Sequence, residues 1–113
     1  MDNNVMRNIS YGLFVLTSKD GNKLNGCITN TLMQVTTAPN RVTITVNKDN
    51  YTHDMVLKTG EFNVSILSEN AKFNTFKHFG FQTGRDIDKF EDYPIVLAKN
   101  GIPYITDGTN GYI

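Results

Sequence analysis

The sequence predicts a mostly antiparallel β-barrel with short helices packed outside it. Asp20-Gly21 stands between two apolar segments, which is a strong hairpin signal. Apolar residues and threonines alternate over Val42–Val46, as they do in a half-buried strand. The helical patterns that lie between strands are too few and too short to cover both faces of a parallel sheet.

Strand patterns account for most of the chain. The first predicted strand, Gly12–Ser18, is apolar on both faces, whereas Glu61–Leu67 alternates between apolar and polar residues. All three prolines fall between apolar runs, a placement typical of a sheet protein whose strands are separated by turns. The predicted strands are Gly12–Ser18, Lys23–Asn30, Leu32–Thr37, Val42–Val46, Glu61–Leu67, Pro94–Ala98 and Pro103–Thr106.

Two short helices and one further helical turn are predicted between these strands. Tyr51–Thr59 is expected to be helical and to end at Gly60. Asn70–Phe79 carries phenylalanines at helical spacing, with Gly80 as its stop. Arg85–Phe90 is expected to add one more turn.

The composition predicts a single neutral domain. The chain has 113 residues, with 11 basic and 11 acidic side chains, so one domain with a modest core is expected. A neutral chain without a basic run is a poor nucleic-acid binder, and no nucleic-acid partner is expected. No apolar run approaches the roughly 20 residues that span a bilayer, and the N-terminus lacks a signal-peptide pattern. We therefore expect a soluble, cytoplasmic protein that does not enter a membrane.

The segment Asn47–His53 is the strongest candidate for a binding site. It leads directly into the predicted helix. Free N–H groups at a helix start, the helix dipole and the charge of Lys48 together suit a phosphate. The alternative is that Thr52, or the competing residue Asn50, only caps the helix, and that Lys48 is a solvated turn residue.

Thr29, Asn30 and Thr31 form a second candidate, because they follow a predicted strand and offer hydroxyl and amide groups. They could line the polar tail of a cofactor. They could equally bond their own backbone in a turn.

Arg85 and Lys89 form a third candidate. They stand four residues apart, on one face of any helical turn, and both could reach an anion. The alternative is an ordinary charged surface turn in which Asp86 and Asp88 neutralise them.

The histidines and the cysteine give no assignable catalytic residue. His53 could donate to a phosphate or another cofactor oxygen, or be a plain surface residue of the helix. His78, among phenylalanines, is expected to be a packing residue or part of a cofactor lid. The single cysteine, Cys27, lies in an apolar alternation and is expected to be buried filler rather than a nucleophile. No metal-ligand cluster, catalytic triad or Gly-x-Gly-x-x-Gly motif is found, so no metal site is expected.

Four segments taken together resemble the flavin reductase-like, FMN-binding split-barrel family. The resemblance is greatest to flavoredoxin-like members and to flavin domains fused to rubredoxin in anaerobic bacteria, and it runs from about Asn8 to the end of the chain. The segments that carry it are Ser10–Ser18, Asn25–Thr31, Asn47–His53 and Thr83–Phe90.

The resemblance implies a six-stranded antiparallel split barrel that dimerises and holds FMN near the subunit interface. Electrons would pass from NADH or NADPH, or from a protein donor, to the flavin and onward. Carried over by position, the cofactor residues would fall into three groups. The ribityl and phosphate contacts would be Thr29, Asn30 and Thr31; the phosphate pocket would be Asn47, Lys48, Asn50 and Thr52, with His53 beside it; and Phe79, Arg85 and Lys89 would flank the flavin ring or its phosphate.

The C-terminus departs from the family pattern. The chain ends at Tyr112-Ile113, which has the pattern of a strand start, whereas the family continues with further strands and a glycine-aspartate-histidine segment. We expect residues 1–113 to form a flavin reductase-like FMN-binding domain that lacks the C-terminal strands.

Two functions remain open at this point. One is an FMN-dependent oxidoreductase with rubredoxin-like or free-flavin acceptors. The other is a flavoprotein electron carrier, reduced by a protein donor, without its own nicotinamide site. We expect FMN rather than FAD, because the chain has a single compact anion site. We expect a homodimer, because Leu13–Leu16 is apolar on both faces.

Overall fold

The fold consists of β-strands with two short α-helices. The computed structural model describes residues 3–8, 12–91 and 93–113; Ser10 and Tyr11, part of the first family-like segment, lie outside them. The strands are β1 (Phe14–Asp20), β2 (Lys23–Thr29), β3 (Leu32–Thr37), β4 (Asn40–Ile44), β5 (Asn63–Leu67), β6 (Val96–Leu97), β7 (Pro103–Tyr104) and β8 (Thr109–Tyr112). The helices are α1 (Tyr51–Thr59), α2 (Phe73–Gly80) and a 3-10 helix at Asn3–Asn8.

A four-stranded sheet with the order β2-β1-β5-β8 forms the centre, and β3-β4 and β6-β7 form two separate hairpins. Every described strand pair is antiparallel. The predicted fold class, mainly β and antiparallel with short helices, is therefore confirmed. The Asp-Gly hairpin is also confirmed, since β1 and β2 pair from Asp20–Lys23 at the turn to Phe14–Thr29 at the open end.

Strand β1 is buried on both faces, as its sequence predicts. Phe14 and Leu16 belong to one apolar cluster, and Val15 belongs to another with Phe79 and Ile105. Alternate side chains of a strand point to opposite faces, so one strand can join two clusters. The open end of the β1–β2 hairpin lies next to the segments that carry the candidate site.

Helix α1 has the predicted bounds but a different N-cap from the one expected first. The cap is Asn50, whose side chain accepts a hydrogen bond from the Thr52 N–H. The expectation that Thr52 caps the helix is wrong, and the competing residue is correct. Gly60 ends the helix as predicted; it has φ 72° and donates its N–H to the carbonyl of Val56, a conformation that glycine adopts without a Cβ penalty.

Helix α2 begins later than predicted, at Phe73 rather than Asn70, and ends at Gly80. The Ser68 hydroxyl accepts from the Asn70 N–H, and the Ser68 carbonyl accepts from the Ala71 N–H. These two bonds close a turn at residues 68–71, and the helix begins after it.

The predicted helical turn does not extend over the whole Arg85–Phe90 segment, which forms separate turns instead. The Ile87 N–H reaches the Thr83 carbonyl at 3.3 Å, but the Asp88 carboxylate then accepts from the Phe90 N–H. A side chain that bonds the backbone two residues ahead forms its own turn and interrupts the helical pattern.

Other strand bounds move by a few residues. β1 covers Phe14–Asp20 rather than Gly12–Ser18, and β4 covers Asn40–Ile44 rather than Val42–Val46. β4 begins early because Thr37 pairs with Asn40 across a tight turn. No helix among the described residues is long and apolar enough to cross a membrane.

Candidate functional site

Two adjacent cavities lie beside the open end of the β1–β2 hairpin. We call them the polar cavity, with a volume of about 460 Å³, and the aromatic cavity, of about 340 Å³. They share the lining residues Cys27, Ile28 and Asn50. Each volume lies within the range of roughly 300–1,000 Å³ that small-molecule sites occupy.

The polar cavity contains five of the sequence-predicted residues: Thr29, Asn30, Thr31, Asn47 and Asn50. The Thr31 hydroxyl donates to the Asn30 side-chain oxygen at 2.9 Å, and the Thr31 N–H donates to the Thr29 hydroxyl at 3.3 Å. None of the described residues that line this cavity is acidic. A wall of hydroxyl and amide groups without a carboxylate suits an anion.

The turn before α1 is held by its asparagines. The Asn50 N–H donates to the Asn47 carbonyl, and the Asp49 N–H donates to the Asn47 side-chain oxygen, both at 2.9 Å. Lys48 lies exposed within this turn, between two residues that line the polar cavity. The turn therefore holds the positive charge of Lys48 beside the negative charge of Asp49, which lines the aromatic cavity.

Thr52 lies behind the cavity wall. It is fully buried, and its hydroxyl accepts from Asn25 Nδ2 at 3.0 Å. Its backbone N–H donates to the side-chain oxygen of Asn50, the residue that caps α1. Thr52 thus supports Asn50 from inside the protein and does not line either cavity.

The aromatic cavity is formed by the C-terminal end of α2 and the loop after it. Phe79 is buried in the core, whereas Phe81 is 70% exposed. Asp49 and Tyr51 contribute from the α1 side. One wall is thus aromatic, and the only carboxylate among the described lining residues is that of Asp49.

Lys89 is buried at the back of the aromatic cavity. Its ammonium donates to the carbonyls of Gly26 at 2.7 Å and Phe79 at 2.9 Å. Burial lowers the pKa of Lys89, and only the thiolate form of Cys27 would oppose this shift. Lys89 therefore joins edge strand β2 to the carbonyl end of α2, where a cation is favourable.

Cys27 lies where the two cavities meet and is only 3% exposed. Burial raises the pKa of its thiol; hydrogen bonds with Thr52 and Asn50 and the charge of Lys89 act in the opposite direction. A thiol with a raised pKa is a weak nucleophile. The prediction that this residue is buried is confirmed.

Arg85 and His53 lie outside both cavities. Arg85 Nη2 contacts Asp54 Oδ2 at 2.7 Å, and its guanidinium lies 4.8 Å from the Tyr51 ring centroid. His53 Nδ1 is 3.2 Å from Asp54 Oδ1. The pKa of Asp54 is lowered, chiefly by the hydrogen bond with His53; desolvation opposes this shift, and the bond and charge of Arg85 add to it. Arg85 thus ties the loop after α2 to α1.

His78 is a packing residue, one of the two predicted alternatives. Its ring stacks on Tyr93, with centroids 4.5 Å apart and planes at 19°. Its Nε2 bonds the Lys89 carbonyl, and Gln82 Nε2 lies 3.3 Å from its Nδ1. These partners fit the neutral tautomer with the proton on Nε2. A larger cavity of about 520 Å³ lies on this side of α2 and contains none of the predicted site residues.

Sequence reasoning missed the contact between Asn25 and Gly84. Asn25 is 1% exposed, and its Oδ1 is a buried oxygen without a partner in the described structure. A Cβ at Gly84 would lie 2.5 Å from Asn25 Cγ. The only available signal was a polar residue within the apolar pattern of β2. No described group of three His, Cys, Asp or Glu side chains could hold a metal ion.

A family profile described as "Flavin reductase like domain" matches residues 6–112. The chain belongs to this flavin reductase like family. The resemblance predicted from the four segments is therefore confirmed.

Two curated relatives match this flavin reductase like domain over nearly all its length. "High molecular weight rubredoxin" of Moorella thermoacetica is 34% identical over 113 residues, which are 100% of this chain and 49% of that protein. "Ferric-chelate reductase (NAD(P)H)" of Archaeoglobus fulgidus is 34% identical over 106 residues, covering 94% of this chain and 63% of that protein. The chain thus spans about half to two thirds of the length of these relatives.

Solved structures share the fold of this flavin reductase like domain. The NADH:FAD oxidoreductase of Streptomyces globisporus C-1027 has a TM-score of 0.81 at 26% identity, over 92% of this chain and 61% of that chain. The FMN-binding protein from Thermus thermophilus has a TM-score of 0.81 at 20% identity, over 93% and 58% respectively, a likeness of fold alone.

Proposed function

We propose that the chain is an FMN-binding oxidoreductase domain whose cofactor lies across the polar and aromatic cavities. The observation that carries this proposal is that seven of the eleven predicted residues line these two adjacent cavities. The phosphate and ribityl chain would lie in the polar cavity, where hydroxyl and amide groups face inward and Lys48 is near. The ring would lie in the aromatic cavity. Among the described residues that line the two cavities, Asp49 is the one carboxylate, and it lines the aromatic cavity, so this cavity suits a phosphate less well.

The protein's part in this function is to bind and orient. Bound FMN supplies the redox chemistry. Asn50 would serve both ends, since it lines both cavities and its side chain is fixed by the Thr52 N–H. Lys89 would hold the cavity wall in place through its two carbonyl bonds rather than by touching the phosphate.

The electron path has two candidate forms. In the first, NADH or NADPH reduces the flavin directly, an idea supported by the names of two relatives, a ferric-chelate reductase (NAD(P)H) and an NADH:FAD oxidoreductase. In the second, the domain is a carrier reduced by a protein donor, and the rubredoxin relative supports a redox partner of this kind. FAD in place of FMN remains the alternative cofactor.

We also propose a homodimer in which the β3–β4 hairpin meets the partner subunit. Met33 is 62% exposed and Val35 is 54% exposed on this hairpin. A two-stranded hairpin is only marginally stable by itself in water, so a covering partner would stabilise it. Sedimentation of the flavin-bound protein should give twice the 12.7 kDa chain mass; a monomer at micromolar concentration would contradict this.

Flavin titrations test the cofactor proposal. Apo-protein is titrated with FMN, riboflavin and FAD, and binding is followed by flavin fluorescence. Lys48→Gln should weaken FMN by about three- to tenfold, a loss of roughly 0.7–1.4 kcal/mol, and the loss should shrink in high salt. Riboflavin, which has no phosphate, should bind the variant and the parent equally.

Lys99→Gln is the matched control, because Lys99 is an exposed lysine in the turn between β6 and β7. It should leave all three affinities unchanged. Equal weakening of FMN and riboflavin by Lys48→Gln, or tighter binding of FAD than FMN, would contradict the proposed site. Loss of flavin absorbance with NADH or NADPH alone, without oxygen, would favour the first electron path over the second.

A further inference from the structure

Helix α2 and Phe81, the residue directly after it, present an exposed aromatic pair to solvent. Phe73 is 67% exposed and Phe81 is 70% exposed. Their rings meet edge to face, with centroids 6.1 Å apart and planes at 66°. Lys77 lies midway, four residues from each, on the same face of the helix. Two large aromatic rings that touch each other in water form a patch, and such patches are typical of interaction sites. We call Phe73, Lys77 and Phe81, with Lys72, the α2 surface.

The α2 surface carries excess positive charge. Lys72 and Lys77 are both exposed, and neither takes part in an ion pair among the described residues. Both line the larger cavity beside the helix, where Asp107 is the one acidic residue among the described lining. An aromatic centre with lysines at its rim complements an acidic partner with an apolar contact area.

The α2 surface is continuous with the proposed flavin site. Phe81 belongs to the aromatic pair and also lines the aromatic cavity. A protein that covers the pair therefore comes within one side chain of the cavity where the flavin ring would lie. The opposite face of α2 is closed to partners, because Thr75 and Phe79 are buried there.

We propose that the α2 surface is the docking site for a small acidic protein that carries one electron on an iron centre, the partner class that the rubredoxin relative supports under the proposed function. This inference rests on the proposed function, because it names the partner surface of the same site. Two such carriers, each reduced by one electron from the ferric to the ferrous state, balance the two electrons that one reduced pyridine nucleotide supplies. The remaining proton is released to solvent. The contact is transient, since redox encounters bury little surface.

Binding is tested first without any flavin. Isotope-labelled apo-protein is titrated with an acidic rubredoxin whose iron is replaced by zinc, and backbone amide shifts are followed by NMR. The largest shifts should fall in α2 and the loop at residues 81–84, with little change in α1. The affinity should fall steeply as salt is added, because lysine contacts are screened.

Matched variants separate the α2 surface from general effects. Phe73→Ser and Lys77→Glu should each weaken binding by about tenfold, the loss of one strong interface contact. Leu57→Ser, at a leucine of α1 that is 73% exposed, and Lys99→Glu should change it by less than about twofold. None of these four residues lines the polar or aromatic cavity.

Electron transfer is the second readout. Flavin-loaded protein is reduced and mixed rapidly with ferric rubredoxin, and the iron absorbance is followed. Phe73→Ser and Lys77→Glu should slow this reaction by about tenfold at low salt and leave FMN affinity and the reaction with oxygen unchanged.

Several results would overturn the inference. The first is a set of amide shifts spread evenly over the protein. The second is an equal loss of rubredoxin affinity in the α2 and control variants. The third is a dimer that Phe73→Ser converts to a monomer, since the α2 surface would then be a subunit contact. Failure of the protein to bind FMN would contradict the proposed function alone, because the zinc titration does not depend on flavin.

Discussion

Gly84→Ala should destabilise the protein through one specific clash. The backbone at Gly84 is in a conformation open to any residue, so the glycine is not needed for its φ angle. A methyl group there would lie 2.5 Å from Cγ and 2.8 Å from Nδ2 of Asn25, against about 3.5–4.0 Å for a normal carbon contact. Asn25 is 1% exposed, so the methyl group meets a buried side chain.

The expected cost follows from what Asn25 must give up. Its Nδ2 donates to Thr52 Oγ1 at 3.0 Å, and its Oδ1 is already without a partner. Displacement breaks that bond, worth about 0.5–1.5 kcal/mol, and leaves a buried donor unpaired, at about 1–3 kcal/mol. We therefore expect Gly84→Ala to lower the free energy of unfolding by about 2–4 kcal/mol.

Urea unfolding of a double-mutant cycle tests this reasoning. Asn25→Ala removes the side chain that the methyl group meets, so Gly84→Ala should cost less than about 1 kcal/mol in that background. Gly111→Ala is the control, since a Cβ there meets nothing within 4 Å. Additive effects of the two substitutions, within about 0.5 kcal/mol, would refute the proposed contact.

Three further predictions concern the same region. Lys89→Met should lower the free energy of unfolding by about 2–5 kcal/mol, because two buried carbonyls lose a charged donor, whereas Lys99→Met should change it little. An unchanged free energy of unfolding in Lys89→Met would show that the ammonium does not hold α2 to β2. Cys27 should react with iodoacetamide at least about tenfold more slowly in the folded than in the unfolded protein, and FMN should slow it further; equal rates would contradict its burial. The pKa of Asp54 is lowered in the folded state, first by the hydrogen bond with His53 and then by Arg85, so its stabilisation is present above the unfolded value of about 3.9 and is lost as the pH falls through the folded value. His53→Ala should reduce this loss in acid titrations of stability more than Arg85→Gln, and an unchanged titration in both variants would exclude these two contacts as its source.

Much of the fold could be predicted because its signals are local. The Asp20-Gly21 turn, the bounds of α1 and its stop at Gly60 depend on residues that are neighbours in the chain. The burial of β1 on both faces is likewise visible as an unbroken apolar run. The late start of α2 could not be predicted, because the helical spacing of apolar residues does not mark the first residue of a helix.

The sequence predicted which residues belong to the candidate site better than it predicted how those residues are arranged. Thr29–Thr31, Asn47 and Asn50 were proposed from polar side chains at strand and helix ends, and the fold brings all of them to one cavity. Arg85 was proposed for an anion, yet it contacts Asp54. A guanidinium is attracted by any carboxylate within reach, and the sequence does not show which one the fold brings near.

The sequence by itself determined most of the strands, α1 and the family, because propensity, periodicity and short motifs act between near neighbours; β8 was not predicted, since it begins at Thr109 and ends at Tyr112, where a strand was expected to start. Only the tertiary structure decided which polar groups face the cavities. Thr52 turns inward to Asn25, 27 positions away, and Lys89 is held by Gly26, 63 positions away. Bonds over such separations depend on packing of the whole sheet, and a buried polar group accepts whatever partner the fold brings within hydrogen-bond distance.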